Sequence, residues 1–390
     1  MRRLRTIPTS RIVTALALAA ILAVSAGIAQ AALSGAPKPP GKPLAVAVHD
    51  ALGSADVAGV SARIRFTNGL LPSGALPEGS ASPLLAGASG RLWATAAGGF
   101  RLELQSESGD AQITSDGKRV VAYDSSSNTA YEADLPTEKK QSDTHKVPTL
   151  DAVKQGLAKL AAKWNLSGAN PTSTGGRPSY TVRIAPKDDG GLLGAAELAW
   201  DATKGVPLRA AIYAQGQKDP VLELEATDIS YGSVPASRVR PVAPAGAKVV
   251  KLDPQTAPDR GGKPSTVQGA KAVAKHVPFS LAAPATLAGL PRKQVRLLDE
   301  HGTPAAVSVY GRGLGAILVV EHKADAAKPA AGKAGRDQFK LPQINIDGAT
   351  GTELATALGT VVTFERGGVA YTVAGSVPPA AAENAARDLR

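Results

Sequence analysis

The residues that could do chemistry are few and badly spaced for it. Five histidines, His49, His145, His276, His301 and His322, are scattered along the chain, and none forms an H-E-x-x-H pair or another short ligand spacing. They read as solvated surface residues, so no metal is expected. Asp188 and Asp189 are adjacent, which sends their side chains apart and suits a turn better than an acid and base working together. Gly261-Gly262-Lys263-Pro264 lacks the earlier glycine and the following Ser or Thr of a phosphate loop. Gly311-Arg312-Gly313-Leu314-Gly315 runs into the strand-like Ala316–Glu321, where a dinucleotide loop needs a helix. There is no G-x-S-x-G elbow and no cysteine, which removes a thiol nucleophile, thiolate metal ligation, disulfides and a lipidated cysteine. The expectation is a protein without catalysis and without a cofactor.

What the spacing does support is a sheet with one apolar face. Val60, Ala62, Ile64 and Phe66 alternate with Ser61, Arg63 and Arg65. Phe100, Leu102 and Leu104 alternate with Arg101, Glu103 and Gln105. A period of two is that of a half-buried strand. Asp116-Gly117 is a strong hairpin signal, because the tight hairpin turns need positive φ. With these two residues as the turn, Ile113 faces Val120 and Ala111 faces Ala122. A face built partly of alanine leaves room, either for a covering helix or for a ligand. Further strands are expected at 180–184, 196–200, 208–213 and 221–231. Residues 149–164 read as one amphipathic helix, with Thr149 as cap and Asp151 in the first turn. Leu150, Val153, Leu157, Leu160 and Trp164 share its apolar stripe. Aromatic content of 4% is low, so these cores are built mostly from Ala, Val, Leu and Ile.

The ends and joints of the chain supply its organisation. Arg2, Arg3, Arg5 and Arg11 precede an apolar run from Ile12 to Ala29, and Ala29-Gln30-Ala31 fits a small-x-small cleavage site. Residues 1–31 therefore read as an export signal or membrane anchor. Cleavage after Ala31 yields a secreted protein, and the uncleaved run reaches the ~18–20 apolar residues that span a bilayer. The chain is expected to be extracytoplasmic in both cases. Residues 32–43 read as a Pro/Gly-rich tether, 44–232 as the first domain, 233–275 as a Pro/Gly/Lys-rich linker around a short extended piece at Ala247–Leu252, and 276–390 as a smaller α+β domain. The second domain is expected to carry strands at 293–299, 304–310, 314–322, 339–347, 360–365 and 368–374, then a helix at 378–389. The formal charge is +11, of which the four N-terminal arginines supply four, leaving a modestly basic remainder suited to anionic head groups. No basic stripe is interleaved with aromatics, so nucleic acid is not expected as a partner.

Phe100-Arg-Leu-Glu-Leu104, Ser115-Asp-Gly-Lys118, Tyr123-Asp124 through Leu135-Pro136, Leu198-Ala-Trp-Asp201, Gly205-Val-Pro-Leu-Arg209 and Thr227-Asp-Ile-Ser-Tyr-Gly232 together resemble the LolA-like lipoprotein-carrier superfamily. The resemblance covers roughly residues 44–240. The order of a LolA-like domain followed by a smaller one resembles the RseB/MucB-type sigma-factor regulators. Such a resemblance implies a mainly β fold: a curved antiparallel open half-barrel with a helical plug. It implies a hydrophobic cavity lined by Val60, Ile64, Phe66, Leu102, Leu104, Ile113, Val120, Val182, Leu198, Trp200, Leu208, Ile212, Leu222 and Leu224. Leu150, Val153, Leu157, Leu160 and Trp164 would form the plug. The implied partners are acyl chains of lipid or lipoprotein, or a membrane protein such as an anti-sigma factor. The chain departs from membrane-attached carrier relatives in having no cysteine to lipidate.

Overall fold

The computed structural model describes residues 36–54, 57–72, 82–107, 109–135, 147–188, 190–252, 267–300, 303–324 and 341–390. The leader 1–31, His145, His301, Asp189 and Gly261-Gly262-Lys263-Pro264 lie outside them. Among the described residues no helix is long and apolar enough to cross a membrane.

The chain folds into two sheets, the first curved and antiparallel except at one edge, the second antiparallel throughout. Helix α1 (Leu44–Leu52) leads into β1 (Gly59–Asn68), and a single turn of helix, α2 (Pro83–Ala86), leads into β2 (Ala88–Thr95). A meander follows: β3 (Phe100–Ser106), β4 (Gly109–Ser115), β5 (Arg119–Asp124) and β6 (Thr129–Asp134). After α3 (Leu150–Ala161) come β7 (Trp164–Leu166), β8 (Asn170–Thr174), β9 (Arg177–Pro186), β10 (Leu193–Asp201), β11 (Pro207–Ala214) and β12 (Leu222–Tyr231). Strand β12 returns to pair with β1, so both meanders join into one sheet of 13 strands. Its far edge is β13 (Lys248–Leu252), which lies parallel to β6. That strand comes from the Pro- and Lys-rich stretch expected to be a linker.

The second sheet has eight strands in the order β14-β15-β16-β17-β21-β20-β19-β18. They are β14 (Thr286–Leu287), β15 (Leu290–Glu300), β16 (Thr303–Tyr310), β17 (Ile317–Lys323), β18 (Gln343–Ile346), β19 (Ala349–Thr356), β20 (Gly359–Arg366) and β21 (Val369–Gly375). The one-turn helix α4 (Ala270–Val273) packs at β15, and α5 (Pro379–Asp388) covers the sheet. Within this core the side chain of Glu321 is fully buried, and its Oε2 accepts the Ala282 backbone N–H at 2.8 Å. Burial lifts that carboxyl to about 7.

The sequence expectations hold for the mainly β half-barrel with helices and for the α+β second unit. They fail at several places. Strand β2 was not expected; Gly90 interrupts its pattern. The short β8 and β14 were not expected either. Strand β19 was likewise not anticipated. The 149–164 helix stops at Ala161, and Trp164 opens β7 opposite Pro186. Helical periodicity there loses to the strand pairing of Trp164–Leu166 with β9. The hairpin turn is Gly117-Lys118, one residue later than expected. Asp116 Oδ1 accepts the backbone N–H of Lys118 and Arg119, both at 2.9 Å, and Gly117 takes φ +85. Ile113 therefore faces Ala122 and Ala111 faces Asp124. A shift of two residues changes partners but keeps each side chain on its expected face.

Candidate functional site

Register and alternation divide the large sheet into two faces of opposite character. On one face the direct cross-strand rows read Val182–Leu198–Ala210–Leu224–Phe66–Ala88 and Ile184–Ala196–Ile212–Leu222. The rows continue through Ala62–Leu92–Leu102–Ile113–Ala122. From β9 to β4 the strand positions on this face are uncharged, and charge reaches it only at the end of β12, where Asp201 accepts the Tyr231 hydroxyl at 2.6 Å and Arg177 lies over the Tyr231 ring. It holds every residue expected to line the cavity: Val60, Ile64, Phe66, Leu102, Leu104, Ile113, Val120, Val182, Leu198, Trp200, Leu208, Ile212, Leu222 and Leu224. The face also takes Leu92, Ala94, Ala226, Ile229 and Tyr231, which the sequence reading left out. A bulge explains the last two. Between Arg63 and Ile64 the register with β12 slips, so Thr227 is extra and the inward positions change from even to odd numbers. Leu92 and Ala94 were hidden with the rest of β2; their alternation with Arg91 and Trp93 was the available signal.

Curvature at this face depends on Gly90, which sits between Ile64 and Leu104. A Cβ there would lie 1.9 Å from the Glu103 carbonyl oxygen and 3.2 Å from the Leu104 Cα. Only the absent side chain lets β3 close so tightly on β2.

The cover over this face is uneven. Leu44, Ala47, Val48 and Ala51 of α1 pack with Tyr180, Val182, Leu198 and Trp200, and Tyr180 donates its hydroxyl to the Pro40 carbonyl at 2.6 Å. The sequence put α3 in that place. In the structure α3 lies against α1 and β7; Val153 is buried, Leu150, Leu157 and Leu160 are half-buried, and Trp164 sits in β7. Thr149 caps the helix as expected, its hydroxyl accepting the Ala152 N–H. Farther along the face Ile64, Leu104 and Ala111 are deeply buried, whereas Phe66, Ile113, Val120, Ile212 and Leu222 are half-buried and Tyr131 is 42% exposed.

The opposite face is a charged ladder. Glu197 on β10 accepts Arg183 Nη1 at 2.8 Å, Arg209 Nη1 at 2.8 Å and the Tyr213 hydroxyl at 2.8 Å. Arg209 also pairs with buried Glu223, and the Arg183 guanidinium lies 4.5 Å from the Tyr213 ring centre. Burial pushes the Glu197 carboxyl up, but the hydrogen bonds from Arg209, Arg183 and Tyr213 outweigh it and hold it below the usual range. Glu225 has no such partners, so burial and the neighbouring Glu223 raise it. Trp93 is on this face too, under the Arg238 guanidinium at 5.1 Å. These groups lock strands together and present no nucleophile beside a base. Among the described residues no group of three His, Asp or Glu side chains could hold a metal.

The two sheets touch just before β10 and just after β1. Leu192 N–H donates to the Ser376 carbonyl at 3.0 Å, and Ala357 N–H donates to the Leu70 carbonyl at 2.9 Å. Between these bonds lies an open cleft of about 490 Å³ bordered by Gly69, Leu192, Gln215, Val221 and Ala357.

No family model and no curated protein matches the chain. Among solved structures the chain is similar to MucB in complex with MucA(peri), at 15% identity and TM-score 0.39, over 89% of this chain and 96% of that one. It is similar to the Pseudomonas aeruginosa MucA/MucB complex at 14% identity and TM-score 0.39, over 88% and 94%. It is also similar to a LolA-superfamily protein from Nitrosomonas europaea at 11% identity and TM-score 0.20, over 51% and 98%. Both groups that the sequence resembles are thus among the similar structures.

Proposed function

We propose that this protein is an exported, non-enzymatic binding protein that holds acyl chains of a lipid or lipoprotein against the apolar face of its large sheet. The observation that carries the reading is the apolar face from β9 to β4, with half-buried Phe66, Ile113, Ile212 and Leu222 outside the cover of α1. Each methylene buried there gains about 0.8 kcal/mol, so a ligand with two or three chains needs no polar anchor. The basic n-region and apolar run of residues 1–31 support export. The test is saturable binding of a fluorescent fatty acid to the purified full chain, with mass spectrometry of lipids that copurify. Ile113→Asp should weaken binding by roughly tenfold, since a charge at that position must be desolvated by the ligand. Equal binding by Ile113→Asp and the unchanged protein would overturn the reading.

A second reading is favoured by the cleft between the sheets. An envelope regulator would take an extracytoplasmic segment of a membrane protein, such as an anti-sigma factor, between Gln215 and Ala357. Ala357→Arg would then abolish capture of that segment while leaving fatty-acid binding intact. Unimpaired capture by Ala357→Arg would count against it.

A further inference from the structure

The charged face of the large sheet holds a cluster that its own ladder does not use. Arg63 on β1 stands directly opposite Arg91 on β2, and Arg65 is two residues along β1 on the same side. Like charges directly across a strand pair destabilise it unless something lies between them. The other arginines whose side chains lie on this face are engaged: Arg183 and Arg209 with Glu197, Arg101 with Glu103 at 2.6 Å, Arg119 with Asp134 at 3.1 Å, and Arg238 over Trp93. The three in the cluster make no ion pair within 4.0 Å among the described residues. The carboxylates opposite them do not supply one. Glu103, across from Arg91, is taken by Arg101. Glu225, across from Arg65, is raised by burial and by Glu223 despite Arg65 and Arg209 beside it. Asp228, across from Arg63, is exposed and joins no ion pair.

These arginines border an open depression of about 340 Å³ whose rim also carries Ser89, Gln105 and Thr227. Two backbone irregularities shape it. The β1–β12 bulge inserts Thr227 beside Arg63, and Gly90 forms part of the floor. Bulges of this kind re-aim side chains. Three guanidinium forks with hydroxyl and amide donors around one hollow match a tetrahedral dianion, because each fork can donate two parallel hydrogen bonds to anionic oxygens.

We infer that Arg63, Arg65 and Arg91 form a binding site for a phosphate-type dianion, on the face opposite the proposed acyl-binding surface. The group is either free phosphate or the head group of an anionic lipid. Its charge separates guanidiniums that otherwise repel, so the site also removes strain from the β1–β2 pairing.

The full-length protein is titrated with inorganic phosphate by calorimetry, and sedimented with vesicles of phosphatidic acid and phosphatidylcholine or of phosphatidylcholine alone. The variant is Arg63→Gln/Arg65→Gln/Arg91→Gln. Its control removes three exposed charges outside the depression, Lys204→Gln/Lys218→Gln/Lys248→Gln. Saturable phosphate binding that falls by roughly tenfold or more in the arginine variant and stays in the control assigns a soluble phosphate. Retention on the anionic vesicles alone, lost only in the arginine variant, assigns a lipid head group. Absence of both, or equal loss in the control, overturns the proposal. Circular dichroism checks the fold, and if the triple variant does not fold, Arg91→Gln alone must still weaken binding by about threefold. Fatty-acid binding is expected to be the same in all these variants, so this site and the apolar face succeed or fail separately.

Discussion

In the eight-stranded sheet the apolar face is sealed. Ala382, Ala385 and Ala386 of α5, with Leu389 beyond it, lie over Val319, Val362 and Val373, and all seven are fully buried. In the 13-stranded sheet the corresponding face is larger and only partly covered. Helix α1 closes the β9–β10 end, and apolar residues nearer the middle stay half-buried. Both faces are mainly apolar, and the sealed one even carries the Glu321 carboxyl two residues from Val319, so apolar composition does not separate them. Cover does: a sealed face spends its burial energy on its own stability, and a partly covered one keeps some for a ligand. The charged faces differ in the same way. On the large sheet one stretch is closed by the Glu197 network, and another leaves three arginines unpaired.

Four measurements would break or sharpen this contrast. All three tryptophans, Trp93, Trp164 and Trp200, belong to the large sheet, so tryptophan fluorescence follows its unfolding without a contribution from the small sheet. Gly90→Val should have the largest effect, a loss of about 4 kcal/mol or more in that transition, because a Cβ 1.9 Å from a backbone oxygen forces β2 and β3 apart. An unchanged fluorescence midpoint would show that the curvature has another origin. Arg209→Ala should cost about 3–5 kcal/mol in the same transition, since it leaves Glu223 and Glu197 without their main counter-charge.

The small sheet should respond to pH through its buried Glu321 carboxyl. The Glu321 carboxyl sits at about 7 in the folded protein, above its ordinary value of 4.5, so the folded state binds more protons than the unfolded state between these limits. Stability of the small sheet should therefore be fully present below about pH 4.5 and fall as pH rises toward 7, by on the order of 3 kcal/mol. Far-UV melts at pH 5 and pH 8 read this, and Glu321→Gln should flatten the dependence. A small sheet equally stable at both values would show that the buried carboxyl finds compensation. The smallest effect expected is Thr149→Ala, about 1 kcal/mol from loss of the cap on α3. Because α3 packs on α1 and the edge strand β7, fatty-acid binding should be unchanged by it.

Much of the apolar face was legible in the sequence because a strand's two faces follow from counting by twos. Leu102, Leu104 and Ile113 stand where alternation put them, and a hairpin turn misplaced by one residue did no harm, since partners then shift by two. What could not be counted was an irregularity. The bulge at Arg63/Ile64 reversed the parity of β12 and hid Ile229 and Tyr231. Gly90 hid β2, and with it the Arg63–Arg91 pair that defines the proposed anion site. Trp164 and the role of α3 were misread because the apolar stripe of a helix says that it packs, not against what.

By itself the sequence determined which side chains alternate in most strands, the neighbourhood of the main hairpin turn, the lack of spaced catalytic motifs and the export-like N-terminus. These are local properties, fixed by residue types a few positions apart. The tertiary structure decided which helix covers the sheet, which face stays partly open and which arginines stand opposite each other unpaired. Those depend on contacts between residues far apart in the chain, such as β1 with β12 and α1 with β9, and no local period encodes them.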